Sequence, residues 1–290
     1  MPRKTKAFLT IQSLRERYYK AFPGKESLVK VINEAEIPEH VYNSNAIENS
    51  TLTLEETEKI LLQIDLERFI SEREIFEAKN LARVSSFIET KAKEADLSLD
   101  LILLLHKMLI VNIRDDIAGR FREGDEWVRV GTHIGADPKD VRGLLMDMLT
   151  QYQASANEHI VKRIARFHLT FENIHPFCDG NGRIGRAMNN YALIREGYVP
   201  INIAFVNREQ YYQAFGEFER AGETTIMEEL IGRALTGSYH KRLAYLESKR
   251  IIPLVQYAKE TKQSHSNLIN KAHRQTIPAF IEKGVWKIGM

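Results

Sequence analysis

A single cysteine, Cys178, stands among 290 residues, which excludes an intrachain disulfide and any Cys-x-x-Cys zinc or redox site. Long apolar runs are missing too: the stretch Leu101 to Leu105 is cut off at His106, far short of the roughly 20 residues a membrane helix needs. No apolar core follows the basic start Met1-Pro-Arg-Lys-Thr-Lys, because Gln12, Arg15 and Arg17 come within a few turns. No signal peptide and no membrane contact are expected, and the chain is expected to remain in the cytoplasm. Net charge is nearly absent, at 41 basic against 39 acidic residues or +2, and by itself points to no partner. What is present is the composition of a globular protein, 43% hydrophobic and 28% charged, with enough chain for one large domain or two smaller ones. The charge is unevenly spread, however. Residues 239–290 hold ten Lys and Arg against three Asp and Glu, a local +7 that leaves −5 on the 238 before them. Such a tail suits either a solvated basic face or a contact with an acidic surface such as nucleic acid.

Helix signals dominate, so the fold class expected is mainly α. Thr53-Leu-Glu-Glu56 has capping-box spacing ahead of an apolar face of Ile60, Leu61 and Ile64. Ser98 is placed to cap a leucine-rich helix over 99–111, and Asp137-Pro138 puts a capping acid and a first-turn proline before Leu144, Leu145, Met148 and Leu149. Asn207 is placed to cap the segment carrying Tyr211, Tyr212 and Phe215. The one strand signal is Glu126-Trp-Val-Arg-Val-Gly131, and with the preceding Gly119 to Glu123 it predicts a small hairpin. Two strands alone are marginal in water, so the hairpin must rest on helices, where it can clamp an extended segment.

Chemistry concentrates in His175-Pro-Phe-Cys-Asp179-Gly-Asn-Gly-Arg183-Ile-Gly-Arg186, which packs a base, an acid, three glycines and two arginines into twelve residues. Upstream, Ile164, Phe167, His168 and Phe171 form a helix face; Pro176 and the Gly-Asn-Gly triplet break it, and a second helix over Arg183 to Glu196 closes at Gly197. The glycine-rich turn therefore lies at a helix N-terminus, where unpaired N–H groups and the helix dipole can receive phosphate. Arg183 and Arg186, three apart, project to one side and can hold two phosphates. Asp179 is a hard oxygen ligand suited to Mg2+ on those phosphates, and His175 can take a proton from an attacking hydroxyl near neutral pH. Other nucleotide motifs fail. Gly180-x-Gly-x-x-Gly185 follows a helix rather than a strand and lacks the acid about 20 residues on that a dinucleotide fold needs, and no Gly-x-x-x-x-Gly-Lys-Ser/Thr loop occurs. His159, His168 and His175 are nine and seven apart, which fits no helical pair of metal ligands, so His168 is read as a core histidine. Cys178 has no base placed for it and is read as filler.

Matched at every fixed position, this stretch resembles the signature of the Fic family, His-x-Phe-x-(Asp/Glu)-Gly-Asn-Gly-Arg-x-x-Arg. Val128-Arg-Val-Gly131 resembles the family's target-docking flap, Gly119-Arg-Phe-Arg122 the segment before it, and Tyr211-Tyr212 the tyrosine pair near the adenine. The resemblance covers about residues 40–235 and implies a Fic-type helical core with a hairpin flap. It implies transfer of AMP from ATP, with Mg2+, to a hydroxyl of an unknown target protein and of the chain itself. Carried over, His175 is the general base, Asn181 a further catalytic residue and Asp179 the metal ligand. Gly180, Asn181 and Gly182 cradle the α- and β-phosphates, Arg183 holds the leaving pyrophosphate, and Arg186 reaches the γ-phosphate. Ile184 and Gly185 complete that turn, while Val128, Arg129, Val130, Gly131, Tyr211 and Tyr212 add to the nucleotide site. Glu219 departs from the amide-bearing residue that some relatives have near this spacing, so that contact is not carried over.

Ser44-Asn-Ala-Ile-Glu48-Asn49 resembles the family's inhibitory motif, (Ser/Thr)-x-x-x-Glu-(Gly/Asn), and implies an inhibitory helix near 36–49 with Glu48 pairing Arg186. Helix signals over Val255–Glu260 and Ser264–Arg274 lead to hairpin signals at Ile277-Pro-Ala-Phe280 and Gly284-Val-Trp-Lys-Ile288, an order that resembles a small winged helix-turn-helix of the excisionase type. Lys271, Arg274, Lys283 and Lys287 supply phosphate contacts if that segment binds DNA; many winged modules bind protein instead. The division expected is an N-terminal helical region over 1–110, the Fic core over 111–237 and a winged-helix-like domain over 238–290; a homodimer is compatible with it. Two alternatives stay open: a regulatory protein that senses nucleotide and acts through its C-terminal segment on DNA or a protein, and transfer of another group such as UMP or phosphocholine.

Overall fold

The computed structural model describes residues 3–131 and 133–290, so Met1 and Pro2 of the basic start lie outside the described residues. Five helices come first: α1 (Arg3–Ala21), α2 (Glu26–Ile47), α3 (Leu54–Leu61), α4 (Glu72–Lys91) and α5 (Leu99–Ile110). A short hairpin of β1 (Arg129–Val130) and β2 (His133–Ile134) follows, then α6 (Val141–Ala154), α7 (Ile160–Ile174), α8 (Asn181–Arg195), α9 (Arg208–Ala221) and α10 (Thr225–Leu246). The chain ends with β3 (Ile251–Pro253), α11 (Leu254–Glu260), α12 (His265–His273), β4 (Ala279–Glu282) and β5 (Val285–Gly289).

Side-chain caps start the helices where the residue types call for them. Thr53 Oγ1 accepts the Glu56 N–H at 3.1 Å while Glu56 Oε2 accepts the Thr53 N–H at 2.8 Å, closing the capping box. Ser98 Oγ accepts from the Leu101 N–H at 3.2 Å and opens α5. Three local expectations are corrected. Helix α3 stops at Leu61 and Gln63 turns to φ +58, so Ile64 leaves the apolar face and is exposed. Asn207 makes no side-chain cap on α9, because a 3-10 turn over Phe205–Asn207 feeds straight into the helix. The partner of Arg129–Val130 is His133–Ile134, which follows it, and not Gly119 to Glu123.

One apolar core runs from Ile11 to Leu246. At its centre α8 buries Ile184, Met188, Tyr191, Ala192 and Leu193 almost completely, and α7 packs against it through Ile164, Leu169 and Phe171. Each of the Ile, Leu, Met and Phe side chains among these contributes on the order of 1.5–3 kcal/mol when removed from water. A helix buried on all sides cannot slide, and the turn at its N-terminus is therefore fixed. Helices α1 and α10 pack on one another and close the core on the far side.

A second, smaller core joins Ile252, Leu254, Ala258, Leu268, Ala272, Ala279 and Ile288 in a unit of two helices and a three-stranded antiparallel sheet ordered β3-β5-β4. Its hairpin tip rests on α2. Lys283 (φ +51) and Gly284 (φ +73) form a tight turn whose N–H groups both donate to the Glu39 carboxylate, at 2.9 and 3.3 Å. Lys241 bridges Glu36 of α2 and Glu282 of β4 at 3.2 and 3.1 Å.

Candidate active site

Helix α7 ends at His175, which takes a left-handed conformation (φ +53, ψ +61) before Pro176, and α8 begins after Gly180 at φ +81. Asn181 holds the loop between them: its Oδ1 accepts the Phe177 N–H at 2.9 Å and its Nδ2 donates to Phe177 O at 2.8 Å. Gly180 has no room for a side chain, since a Cβ would fall 3.0 Å from Ile110 Cδ1 and 3.1 Å from Leu109 Cδ2. From beneath, the buried His106 accepts the Gly119 N–H at Nδ1 (3.0 Å) and donates from Nε2 to Asp179 O (3.1 Å). That pattern requires a neutral ring, and burial lowers the His106 pKa to about 4.

The groups the loop presents face one cleft of about 610 Å³, a size suited to a small-molecule ligand of nucleotide dimensions. His175 Nδ1 lies 3.3 Å from the Glu172 carbonyl, which only accepts, so the proton sits on Nδ1 and Nε2 keeps its lone pair. Burial lowers the His175 pKa to about 4, which keeps the ring neutral at pH 7. Asp179 accepts from Arg183 Nη2 at 3.0 Å and from Arg73 Nη2 at 2.6 Å. Burial alone would raise its pKa, but these two guanidiniums hold it below the ordinary carboxylate value. Glu77 closes the ring of charges, 3.1 Å from both Arg183 Nη1 and Arg73 Nε.

Arg186, 4% exposed, faces the C-terminal end of α2. Its Nε donates to Ser44 Oγ at 2.9 Å, and its Nη2 donates to Ser44 O at 2.8 Å and to Glu48 Oε1 at 2.9 Å. Its Nη1 donates to the Tyr211 hydroxyl at 3.0 Å, and that hydroxyl lies 2.8 Å from Nε2 of the fully buried His168. Burial lowers the Arg186 pKa, but Tyr211, Glu48 and Glu172 outweigh it and the net shift is upward, so the charge is permanent. Glu48 Oε1 also occupies the start of α8: a Cβ built on Gly182 would fall 2.1 Å from it. A carboxylate thus sits on the N-terminal turn where unpaired N–H groups favour an anion. For Glu48 itself the placement runs against the dipole of α2, whose C-terminus disfavours acids; Arg186 compensates.

Residues 96–193 match the family model described as the Fic/DOC family. The chain carries a Fic domain. Protein adenylyltransferase Fic of Drosophila melanogaster is 30% identical over 219 residues, which are 70% of this chain and 43% of that protein. The chain therefore spans less than half the length of the curated relatives it matches. A Fic domain containing signaling protein from Bacteroides thetaiotaomicron superposes with a TM-score of 0.75 at 22% identity, over 83% of this chain and 98% of that one. A Fic family protein from Desulfovibrio desulfuricans superposes at 0.70 and 20% identity, over 100% of this chain and 96% of its own. Both share the mostly helical fold.

Most of the sequence-predicted residues of the Fic domain converge on the cleft. Glu48, Val128, Arg129, Val130, Gly131, His175, Asp179, Gly180, Asn181, Gly182, Arg183, Tyr211 and Tyr212 all line it. Ile184, Gly185, Arg186 and Ser44 are not on its wall: Ile184 is fully buried with its N–H spent on Gly180 O, Gly185 faces Glu172 and His168, and Arg186 is buried against Ser44, Tyr211 and Glu48. Tyr211 belongs to the core, and only Tyr212 keeps a partly open ring, with its hydroxyl 3.3 Å from Ile47 O. Cys178 is half-buried, and burial raises its thiol pKa, as suits filler. Sequence reasoning missed Arg73, Glu77, His106 and Glu172. The first two lie about a hundred residues from the loop with no motif around them. His106 had one signal, a lone histidine interrupting an apolar run. Glu172, three residues before His175, carries an unpartnered Oε1 among the described residues, and burial, with Glu48 adding to it, raises its pKa to about 8.

Proposed function

We propose that the protein transfers AMP from ATP to a hydroxyl of a target protein and of itself, and that Glu48 restrains this reaction. One observation carries the proposal: a neutral histidine with a free Nε2 stands beside a glycine-lined helix N-terminus, and that N-terminus is already filled by an anion, the Glu48 carboxylate. The phosphates of ATP are the anions such a cradle suits. With Glu48 withdrawn, Gly180 to Gly182 receive the α- and β-phosphates, Arg183 the pyrophosphate and Arg186 the γ-phosphate. The hydroxyl oxygen attacks the α-phosphorus, His175 Nε2 takes its proton, and the bond to the bridging oxygen breaks to release pyrophosphate. Placement and charge neutralisation are the main contributions required of the protein.

Asp179 fits a Mg2+ ion. It is one carboxylate on the cleft wall beside the phosphate cradle, and Mg2+ is commonly bound by one or two carboxylates plus substrate phosphates. Bound there, Mg2+ would neutralise charge on the phosphates. Arg73 is the group that would have to turn aside, since it holds Asp179 Oδ2.

We assign the C-terminal unit a winged-helix fold, because two helices precede a hairpin that a third strand extends. Of its four basic residues named above, Lys283 and Lys287 are engaged by Glu58 and Glu282, at 2.8 and 2.6 Å. That leaves Lys271 and Arg274, and favours a protein contact over DNA.

The test is incubation with Mg2+ and ATP labelled either at the α- or at the γ-phosphate. Covalent label from the α-position alone is expected; label from the γ-position, or from UTP in preference to ATP, would replace this reading with another transfer.

A further inference from the structure

Arg122 is 2% exposed, and its guanidinium bonds only to backbone carbonyls among the described residues. Nε donates to His175 O at 2.8 Å, Nη1 to Glu126 O at 2.8 Å, and Nη2 to Ala136 O at 2.7 Å and Ile174 O at 3.3 Å. Its own N–H donates to Pro176 O at 2.9 Å. Glu126 and Ala136 are the two roots of the flap, while Ile174 is the last residue of α7 and His175 its cap. One planar fork therefore joins both ends of the flap to the residue that bears the base.

Two features show that this junction is set for position. A guanidinium buried without a carboxylate is costly, because carbonyl dipoles compensate a lost hydration shell only in part. Here the negative end of the α7 dipole supplies some of the compensation. His175, moreover, holds φ +53, a region that is strained for a residue with a side chain and persists only where the surroundings over-determine it. Its N–H is fixed by Phe171 O at 3.0 Å and its carbonyl by Arg122. The flap comes so close that a Cβ on Gly135 would fall 3.0 Å from Arg122 Nη2 and 3.1 Å from His175 Cβ.

We propose that Arg122 is a positioning residue for the transfer: it sets the spacing between the flap and the His175 imidazole, so that a hydroxyl presented along the flap meets the base. This rests on the AMP-transfer reading given above. Arg122 takes no part in the phosphate cradle, so its loss should spare ATP binding and reduce turnover.

The experiment places Arg122→Gln and Arg122→Lys in a Glu48→Gly chain and measures Mg-ATP affinity, thermal unfolding and the initial rate of self-labelling. Glu48→Gly alone must label; if it does not, the AMP-transfer reading fails and not this one. Expected for Arg122→Gln is a rate lower by on the order of tenfold or more at saturating ATP, with ATP affinity within about twofold of the parent. Arg122→Lys, which keeps the charge but reaches fewer carbonyls, should fall between, and it carries the test if Arg122→Gln does not fold. A rate within about twofold of the parent overturns the proposal. So does a loss of rate matched by an equal loss of ATP affinity, which is the mark of a purely structural role.

Discussion

At the scale of single residues, two side chains in one motif do opposite kinds of work. His175 keeps an open Nε2 and faces the cleft, whereas Asp179 beside it is engaged by two arginines. His175→Ala should therefore abolish AMP transfer and leave ATP binding intact, as measured by label incorporation and by titration with Mg-ATP. Asn181 has both amide atoms spent on Phe177. Asn181→Ala leaves two backbone groups of a buried turn unpaired and should cost about 1–3 kcal/mol of stability, measurable by thermal or urea unfolding. The residue types of this motif told from the sequence alone which groups could meet phosphate. They did not tell that Asn181 would be consumed by the loop, since that depends on how closely Phe177 returns to the start of α8.

At the scale of elements, α8 presents its N-terminus because a helix buried on every side cannot move, and α2 fills that N-terminus with Glu48. Gly182 is the point where the two meet. In Gly182→Ala the new methyl group would stand where Glu48 Oε1 now lies, 2.1 Å away. The variant should expel the carboxylate yet also crowd the phosphates, so it should fail to gain the activity that Glu48→Gly gains; equal activation of both would show that phosphate does not approach Gly182. The helices of this core were legible in the sequence because capping residues and apolar spacing mark them locally, as at Thr53 and Ser98. The strand pairing of the flap was not. A two-residue strand offers little pattern to set its register, and the segment chosen as its partner is drawn inward by Arg122 instead.

At the scale of the whole molecule, four histidines are held neutral by burial, which lowers His40, His106 and His175 to about 4 and His168 to about 3. Their folded values lie below the ordinary value of about 6.5. Each contributes stability that is present above pH 6.5 and is lost as pH falls toward 4. Glu89 and Glu172, raised by burial to about 7 and about 8, act in the opposite sense and lose stability as pH rises toward those values. Four groups against two make acid the destabilising direction, and unfolding midpoints measured between pH 7 and 4.5 should fall. A flat profile would mean that these rings are protonated in the fold. The burial of His168 was legible from its place on the apolar face of α7, whereas that of His40 and His175 was not, since the groups that bury them come from distant parts of the chain. The charge ring of Arg73, Glu77, Asp179 and Arg183 was hidden for a related reason, since α4 and the loop meet only after the core has formed.

The most direct test of the central claim compares the wild type, Glu48→Gly and Glu48→Gly/His175→Ala in one assay with α-labelled ATP and Mg2+. Label on the protein that rises in Glu48→Gly and disappears in the double variant is the result the structure predicts. Label that is unchanged or lower in Glu48→Gly would contradict the restraint by Glu48, and label that survives in the double variant would contradict His175 as the base.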